Sequence, residues 1–351
     1  MDIRKKYSKG GALLIRKNTV GIGYGFVHFS VEVASFYFLF ARISEDPRWW
    51  LLALLFDAVA FIPQSMIGIL TDTHPKFPIG MFGGILMICA LLLPMDFISL
   101  MLIGLGNACI HVSGAQHTLR ATAGKITPSA VFVGAGSFGV ITGQLLGGLK
   151  MPWIGIVPLL LMAVSVILMI GIRKRDPLEE QIAELSVASH MDISLLVLCA
   201  FVGVTVRGYI AYAVPTEWNK TLVQGVMLFV CMGLGKMLGG ILADKIGFRW
   251  VTGISLLGGL PFLLFGNSVM WLSLMGVALF SMTMPVTVAI LASAFPKQPG
   301  YAFGITTVGL FMGTAPAFFV RPQTLPAHQI LVIVLTVVAL PAIYVCIKKG
   351  R

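Results

Sequence analysis

Twelve apolar runs, each close to 20 residues long, follow one another along the 351 residues, and nothing else in the chain constrains its folding as strongly. They lie at about 20–41, 48–71, 78–94, 97–119, 127–149, 152–172, 192–215, 221–243, 249–266, 270–293, 301–319 and 326–347. A helix rises about 1.5 Å per residue, so about 20 apolar residues span a hydrocarbon core of about 30 Å. With 57% hydrophobic and 11% charged residues, the composition is that of a membrane protein. Period-two alternation is absent, and lipid tolerates no unpaired backbone, so helices rather than a barrel are expected to span. The predicted fold class is an all-α polytopic membrane protein of twelve transmembrane helices.

The formal net charge of +11 would also suit a nucleic-acid partner, but its distribution argues against one. If the N-terminus is cytoplasmic, the loops on that side collect eighteen Lys and Arg and the opposite loops five, the bias expected of membrane topology. Both termini are therefore expected in the cytoplasm. The basic N-terminus leads into a full-length span with no small-residue cleavage site, so the first helix is expected to remain as an anchor. The five cysteines fall inside predicted spans, show no metal-type spacing, and read as packing residues. No phosphate-binding GxxxxGK[ST] loop is present, and no cofactor is expected.

The longest polar interruption, RKRDPLEEQIAELSVASH at 173–190, separates six runs from six. Two six-helix bundles are expected, at 1–175 and 191–351, joined by a cytoplasmic linker at 176–190. GILTD at 68–72 ends the second run and GILAD at 240–244 ends the eighth, an offset of 172 residues (68 to 240) that marks a duplication. GSFGVITG (136–143) and GLFMG (309–313) fall at a similar offset. Parallel repeats of this kind are one architecture of membrane transporters, with the binding site between the halves.

Ionisable groups inside the membrane are costly and face a partner or a wet cavity. In the first run, Gly25, His28, Glu32 and Ser35 share one helical face. Glu32 and His28 are candidates for proton exchange, or alternatively a hydrogen-bonded pair holding helices together. Asp57, in the second run, is a further candidate. Asn107, His111, Gly114 and Thr118 form a similar stripe in the fourth run, where His111 is either a ligand or proton group or a packing histidine, and Asn107 is grouped with it as a substrate contact. Arg120, at the end of that run, reads as a gating or anchoring residue, or as a partner for Asp72. In the seventh run, Arg207 lies one turn from Val204, the position that a shift of 172 assigns to Glu32. It would bind an anionic substrate group or neutralise Glu32 or Asp57. Lys236, on a glycine-rich eighth run, is expected in an internal ion pair rather than at a substrate. Met282, Met284 and Pro285 are either a cavity lining or ordinary packing.

Gly68 and Gly240 permit close approach of a neighbouring helix. Asp72 and Asp244 at the membrane edge can face another helix's positive N-terminus or an arginine, a contact that can form in one conformation and break in another. The stretch GGILADKIGFRW (239–250) follows G-x-L-A-D-x-x-G-x-R and, with GILTDTHPK in the first half, resembles the junction motif of the major facilitator superfamily. The first copy lacks the second glycine and the arginine; the second keeps both, as Gly247 and Arg249. HFSVE, GLGNACIHVSGAQHTLR, FVGAGSFGVITGQLLGG and PGYAFGITTVGLFMG look like the fosmidomycin-resistance-type efflux branch. The resemblance implies the major facilitator fold, two pseudo-symmetric six-helix bundles, working as a monomer by alternating access on a small molecule, with protons as coupling ion. Gly68, Asp72, Arg120, Lys236, Gly240, Asp244 and Arg249 would then serve gating. A bacterial inner membrane is the expected location. Two other classes fit less of the sequence: a non-transporting sensor or assembly subunit, and a membrane-embedded lipid-modifying enzyme, for which the short loops leave little room.

Overall fold

The computed structural model describes residues 3–121, 124–175, 182–213 and 217–349, with side chains from residue 19 onward, 212 and 213 excepted. Residues 176–181 of the expected linker lie outside the described residues. The first six helical rods are α1 (Ile3–Phe38), α2 (Trp49–Thr73), α3 (Ile79–Leu92), α4 (Asp96–Arg120), α5 (Thr127–Gly148) and α6 (Pro152–Arg175). The second six are α7 (Ile193–Ala213), α8 (Leu222–Ile246), α9 (Phe248–Phe265), α10 (Met270–Ala294), α11 (Pro299–Ala317) and α12 (Leu325–Val345). Each predicted apolar run is one rod.

Among the described residues, ten of the twelve are long and apolar enough to cross a membrane by length and composition. The exceptions have visible causes. The third rod is 14 residues long, about 21 Å at 1.5 Å per residue, because Pro78 and Pro94 bracket it. The eleventh is long enough at 19 residues, but glycines, threonines and prolines dilute its apolar content. The first helix starts at Ile3 rather than near 20, since the basic segment before the apolar run continues the same helix. Proline and π turns interrupt several rods: α2 restarts after Pro63, α10 breaks at Met282, and π turns lie at Leu39–Ile43 and Ile254–Gly258. Such breaks free backbone groups inside a membrane only where neighbouring protein can satisfy them.

The outer surface is apolar, and the embedded ionisable groups are turned into an otherwise largely apolar interior. Side chains such as Ile22, Met66, Ile167 and Val337 are exposed, while His28, Glu32, Asp57, Asn107 and Arg207 are buried. Trp49, Trp50, Trp153, Trp250 and Trp271 stand exposed near rod ends, the placement of an interfacial aromatic belt.

Helices before residue 175 pack largely with one another, as do those after 193, and the two sets meet chiefly along α2–α11 and α5–α8. The most extensive contact of all is the parallel pair α1–α5. It is made by glycines at i, i+3, i+7 and i+11. A Cβ on Gly136 would strike the imidazole of His28; on Gly139, the carbonyl of Phe29; on Gly143, that of Val33; and on Gly147, that of Tyr37. The corresponding pair α7–α11 uses Gly313 against the carbonyl of Thr205 and Gly208 against that of Leu310. Small residues replace hydrophobic collapse here, because lipid is as apolar as the side chains and only close packing favours association.

This geometry predicts that Gly139→Ala overpacks the α1–α5 seam and destabilises the protein by about 1–3 kcal/mol. Gly171→Ala, where an added Cβ meets nothing within 4 Å, is expected to be neutral or stabilising by up to about 1 kcal/mol. Thermal unfolding of the two purified variants in the same detergent checks the contrast.

Candidate functional site

Two neighbouring helices bring three ionisable side chains to one point. His28 and Glu32 lie one turn apart on α1, and His111 arrives from α4. Glu32 Oε1 is 3.5 Å from His28 Nε2 and 3.3 Å from His111 Nε2. The other nitrogen of each ring faces a backbone carbonyl: His28 Nδ1 is 2.7 Å from the oxygen of Phe132, and His111 Nδ1 is 2.9 Å from that of Asn107. A carbonyl only accepts, so both Nδ1 atoms carry the hydrogen and donate. Both Nε2 atoms of neutral rings then present lone pairs to a carboxylate oxygen. Three acceptors converge, and the cluster requires a proton or another cation among them. Asn107 Nδ2 supplies one donor, to Glu32 Oε1 at 3.3 Å, and also reaches Ser35 Oγ at 3.1 Å. The rings of His28 and His111 meet edge to face, their centroids 4.3 Å apart, with Phe132 against both.

Asp57 and Lys236 lie near this cluster without pairing to it, and Arg207 lies near Lys236. Asp57 on α2 is buried and lies within electrostatic range of Glu32. From the other half, Lys236 on α8 lies within range of both Glu32 and Arg207. Its Nζ donates to Ser137 Oγ of α5 at 2.8 Å, one residue from the Gly136 that makes room for His28. The internal ion pair expected of Lys236 is therefore not formed among the described residues, because a serine on the facing helix satisfies the ammonium. Arg207 is likewise buried with no ion-pair partner among the described residues, and its Nε has no acceptor. Neutralisation of Glu32 or Asp57 by Arg207 is not seen: the second half sends Lys236, not Arg207, toward the seam beside the triad.

Two further sites close one edge of the bundle, each built from a junction aspartate. Asp72 Oδ1 accepts from Gln116 Nε2 at 2.8 Å, Arg120 Nη2 at 3.2 Å and the backbone N–H of Gly300 at 3.2 Å, while Oδ2 accepts from the N–H of Tyr301 at 2.9 Å. Asp244 accepts from the N–H groups of Ile126 and Thr127, both at 2.9 Å, and from Thr127 Oγ1 at 2.5 Å. These amides are the orphan donors at the N-termini of α11 and α5. Neither helix caps itself, since Gln298 and Ile126 at the N-cap positions make no side-chain cap bond. An aspartate from the opposite half supplies the cap and meets the positive end of the macrodipole. The glycines bring the chains close enough: a Cβ on Gly68 would strike the carbonyl of Gly300, and one on Gly240 the side chain of Ala130. The shift of 172 takes Asp72 to Asp244 and the start of α5 at 127 to the start of α11 at 299, while the amides bound on α11, those of 300 and 301, lie two residues further along than those bound on α5.

Arg249 takes no part in the second clamp. Gly247, at φ 95°, turns the chain between α8 and α9 in a conformation that favours glycine. Arg249 Nη2 then donates to the carbonyl of Ile347 at 2.8 Å and its guanidinium lies over the ring of Tyr344. At the first junction, where the second glycine is missing, Arg173 holds the turn instead by donating to the carbonyls of Pro75, Lys76 and Phe77.

Several participants are not apparent from sequence reasoning. Gln116 lies one turn before Arg120 and shares its face, a spacing that could have found it. Ser137 and Phe132 carry no such signal, since their roles depend on partners from α8 and α1. A second polar cluster joins Tyr24 Oη to His117 Nδ1 at 2.9 Å and to Ser113 Oγ at 3.3 Å.

No protein-family model matches the sequence, and no curated protein sequence matches it. Solved structures do. The human organic anion transporter MFSD10 shares 14% identity over 94% of this chain and 99% of that one, with a TM-score of 0.68. The E. coli fucose:proton symporter FucP shares 14% over 92% and 97%, with a TM-score of 0.61. A bacterial homologue of the iron transporter ferroportin, in an outward-facing state, shares 13% over 94% and 98%, with a TM-score of 0.62. The chain has the major facilitator fold.

Removing a clamp should loosen its own helix end and leave the other in place. Hydrogen bonds to a charged group are worth about 1.5–3 kcal/mol, so Asp72→Ala is expected to speed amide exchange at 300–301 by about tenfold or more. Asp244→Ala should do the same at 126–127. Hydrogen exchange read by mass spectrometry on both variants separates the two ends.

Proposed function

We propose that this chain is a secondary active transporter that moves a small organic solute by alternating access and exchanges it for protons in the efflux direction. The observation that carries this reading is the convergence of three acceptors at Glu32, His28 and His111. A buried carboxylate faced by two imidazole lone pairs is a site that takes up a proton and becomes electrostatically frustrated when the proton leaves. Asp57 and Lys236 lie within electrostatic range of it, and Arg207 within range of Lys236, so a change of charge at Glu32 is felt on the other half of the molecule through Lys236.

The cycle follows from these groups. With a proton in the triad, Glu32 is satisfied locally and Lys236 remains on Ser137. When the proton departs, the carboxylate attracts the cations of α7 and α8, and the two halves change their relative position. The junction clamps are the devices this motion must break. Asp72 and Asp244 cap helices across the line between the halves, both at one edge, and in this reading that edge acts as a gate. In this reading the bias of basic loops assigns that gate to the cytoplasmic edge of an inner membrane.

Arg207 gives the solute its chemistry. A permanently charged guanidinium buried without an anion is costly, and a carboxylate or comparable anionic group on the solute supplies the missing partner. The motifs that resemble the fosmidomycin-resistance-type branch support efflux, and MFSD10, which shares the fold, is an organic anion transporter. Asn107 would complete the solute contact from the first half, since its Oδ1 has no donor among the described residues.

Everted membrane vesicles carrying the protein, offered a panel of fluorescent organic anions one at a time from the outside, test the reading. An imposed pH gradient should drive uptake of at least one compound, Glu32→Gln should reduce that uptake to the level of protein-free vesicles, and Arg207→Gln should raise the concentration needed for half-maximal flux. Gradient-driven flux that survives Glu32→Gln unchanged would show that the proton site lies elsewhere.

A further inference from the structure

The same convergence fits a second cation. We propose that His28, His111 and Glu32 form a binding site for one divalent transition-metal ion of the imidazole-preferring class, such as Zn2+, Co2+ or Fe2+, held in competition with the proton.

Geometry argues for it first. Bonds of about 2.0–2.1 Å in a tetrahedral shell put neighbouring ligand atoms about 3.3–3.4 Å apart. Two edges of the triad already have that length, at 3.5 Å and 3.3 Å. All three ligand atoms lie within 4.8 Å of one another, so closing the third edge needs at most a small rotation of two rings on separate helices. The hydrogen-bond pattern argues for it independently. Metal-bound histidines donate their second ring N–H to a carbonyl or carboxylate, which fixes the tautomer and aims the free lone pair at the metal. Both imidazoles are held in this way, by the carbonyls of Phe132 and Asn107. The carboxylate has its own outer support in Asn107 Nδ2.

The ligand set decides the class of ion. Two imidazoles and one carboxylate suit zinc and the late first-row metals and are poor for magnesium or calcium, which prefer oxygen shells. Three protein ligands leave a coordination position for water or a solute. Among the surrounding charges, Asp57 from α2 favours a cation, whereas Lys236 and Arg207 from α8 and α7 oppose it. An anionic group in the open position would balance them. Sequence spacing gives no sign of such a site, because His111 joins His28 and Glu32 only when α4 packs beside α1.

This goes beyond the transport reading, since it needs the triad but no cycle. The test is therefore equilibrium binding to the full chain, tag removed, in lipid nanodiscs, with Co2+ as the optical probe and Zn2+ as competitor. One Co2+ per chain is expected, with the absorption of a low-coordinate nitrogen and oxygen shell, displaced by Zn2+ and weakened as pH falls because protons compete for the ligands. Asn107→Ala should weaken binding by about 10–100-fold, and His28→Ala combined with His111→Ala should abolish it. No saturable Co2+ binding in the unmodified chain overturns the proposal whether or not the variants fold, and so does binding that persists in the folded double variant. Metal binding without solute flux would sink the transport reading alone; flux without metal binding would sink this one alone.

Discussion

Close approach of α1 and α5 along four glycines is the contact on which the rest of the structure depends. In water, burial of apolar area would hold two helices together; in lipid that force is absent, and association rests on backbones coming near enough for dispersion and polar contacts. Gly136, Gly139, Gly143 and Gly147 provide that approach. The consequence reaches the site directly, because Gly136 leaves the volume that the ring of His28 fills, and the carbonyl that orients that ring belongs to Phe132 on the same helix. A seam without side chains thus positions the most strongly coupled polar cluster in the molecule.

A second constraint acts at the edge. Helix N-termini expose donors that lipid and apolar side chains cannot satisfy. The starts of α5 and α11 lack caps of their own and are completed by Asp244 and Asp72 from the other half. Each cap is a charge-assisted contact across the line where the halves meet. A cap supplied within its own helix would stabilise equally well but could not be lost by moving one half against the other. The duplicated placement therefore couples the satisfaction of two helix ends to the relative position of the bundles.

Much of this is legible in the residues, and the limits are physical. Apolar runs of spanning length locate all twelve rods, because the bilayer sets their size regardless of packing. The shared face of His28, Glu32 and Ser35, and that of Asn107, His111 and Thr118, follow from helical periodicity within single helices. What periodicity cannot supply is the rotation of one helix about its axis relative to another, and that rotation decides whether the two stripes meet. The open alternatives for Asp244 illustrate the same limit. Local chemistry permits a helix N-terminus or an arginine as partner, but Gly247 redirects the chain and carries Arg249 to the end of α12. The shift of 172 brings Arg207 close to the counterpart of Glu32, yet Lys236, one helix on, is the cation that reaches the seam.

The charges gain meaning from this arrangement. Acidic and imidazole groups lie on α1, α2 and α4, and the two cations lie on α7 and α8, so each half carries a surplus that the other can relieve. Direct ion pairs across the centre would lock the halves and leave nothing for a solute or a proton to change. Instead, Lys236 rests on a neutral serine and Arg207 on no acceptor at its Nε. The attraction of Lys236 to Glu32 is present but unspent, because a contact already made could not be formed in response to a proton leaving. The cost of holding unpaired cations in the membrane is borne by the packing of the glycine seams and the two aspartate caps, which is why the strongest contacts lie away from the centre and the weakest satisfied groups lie within it.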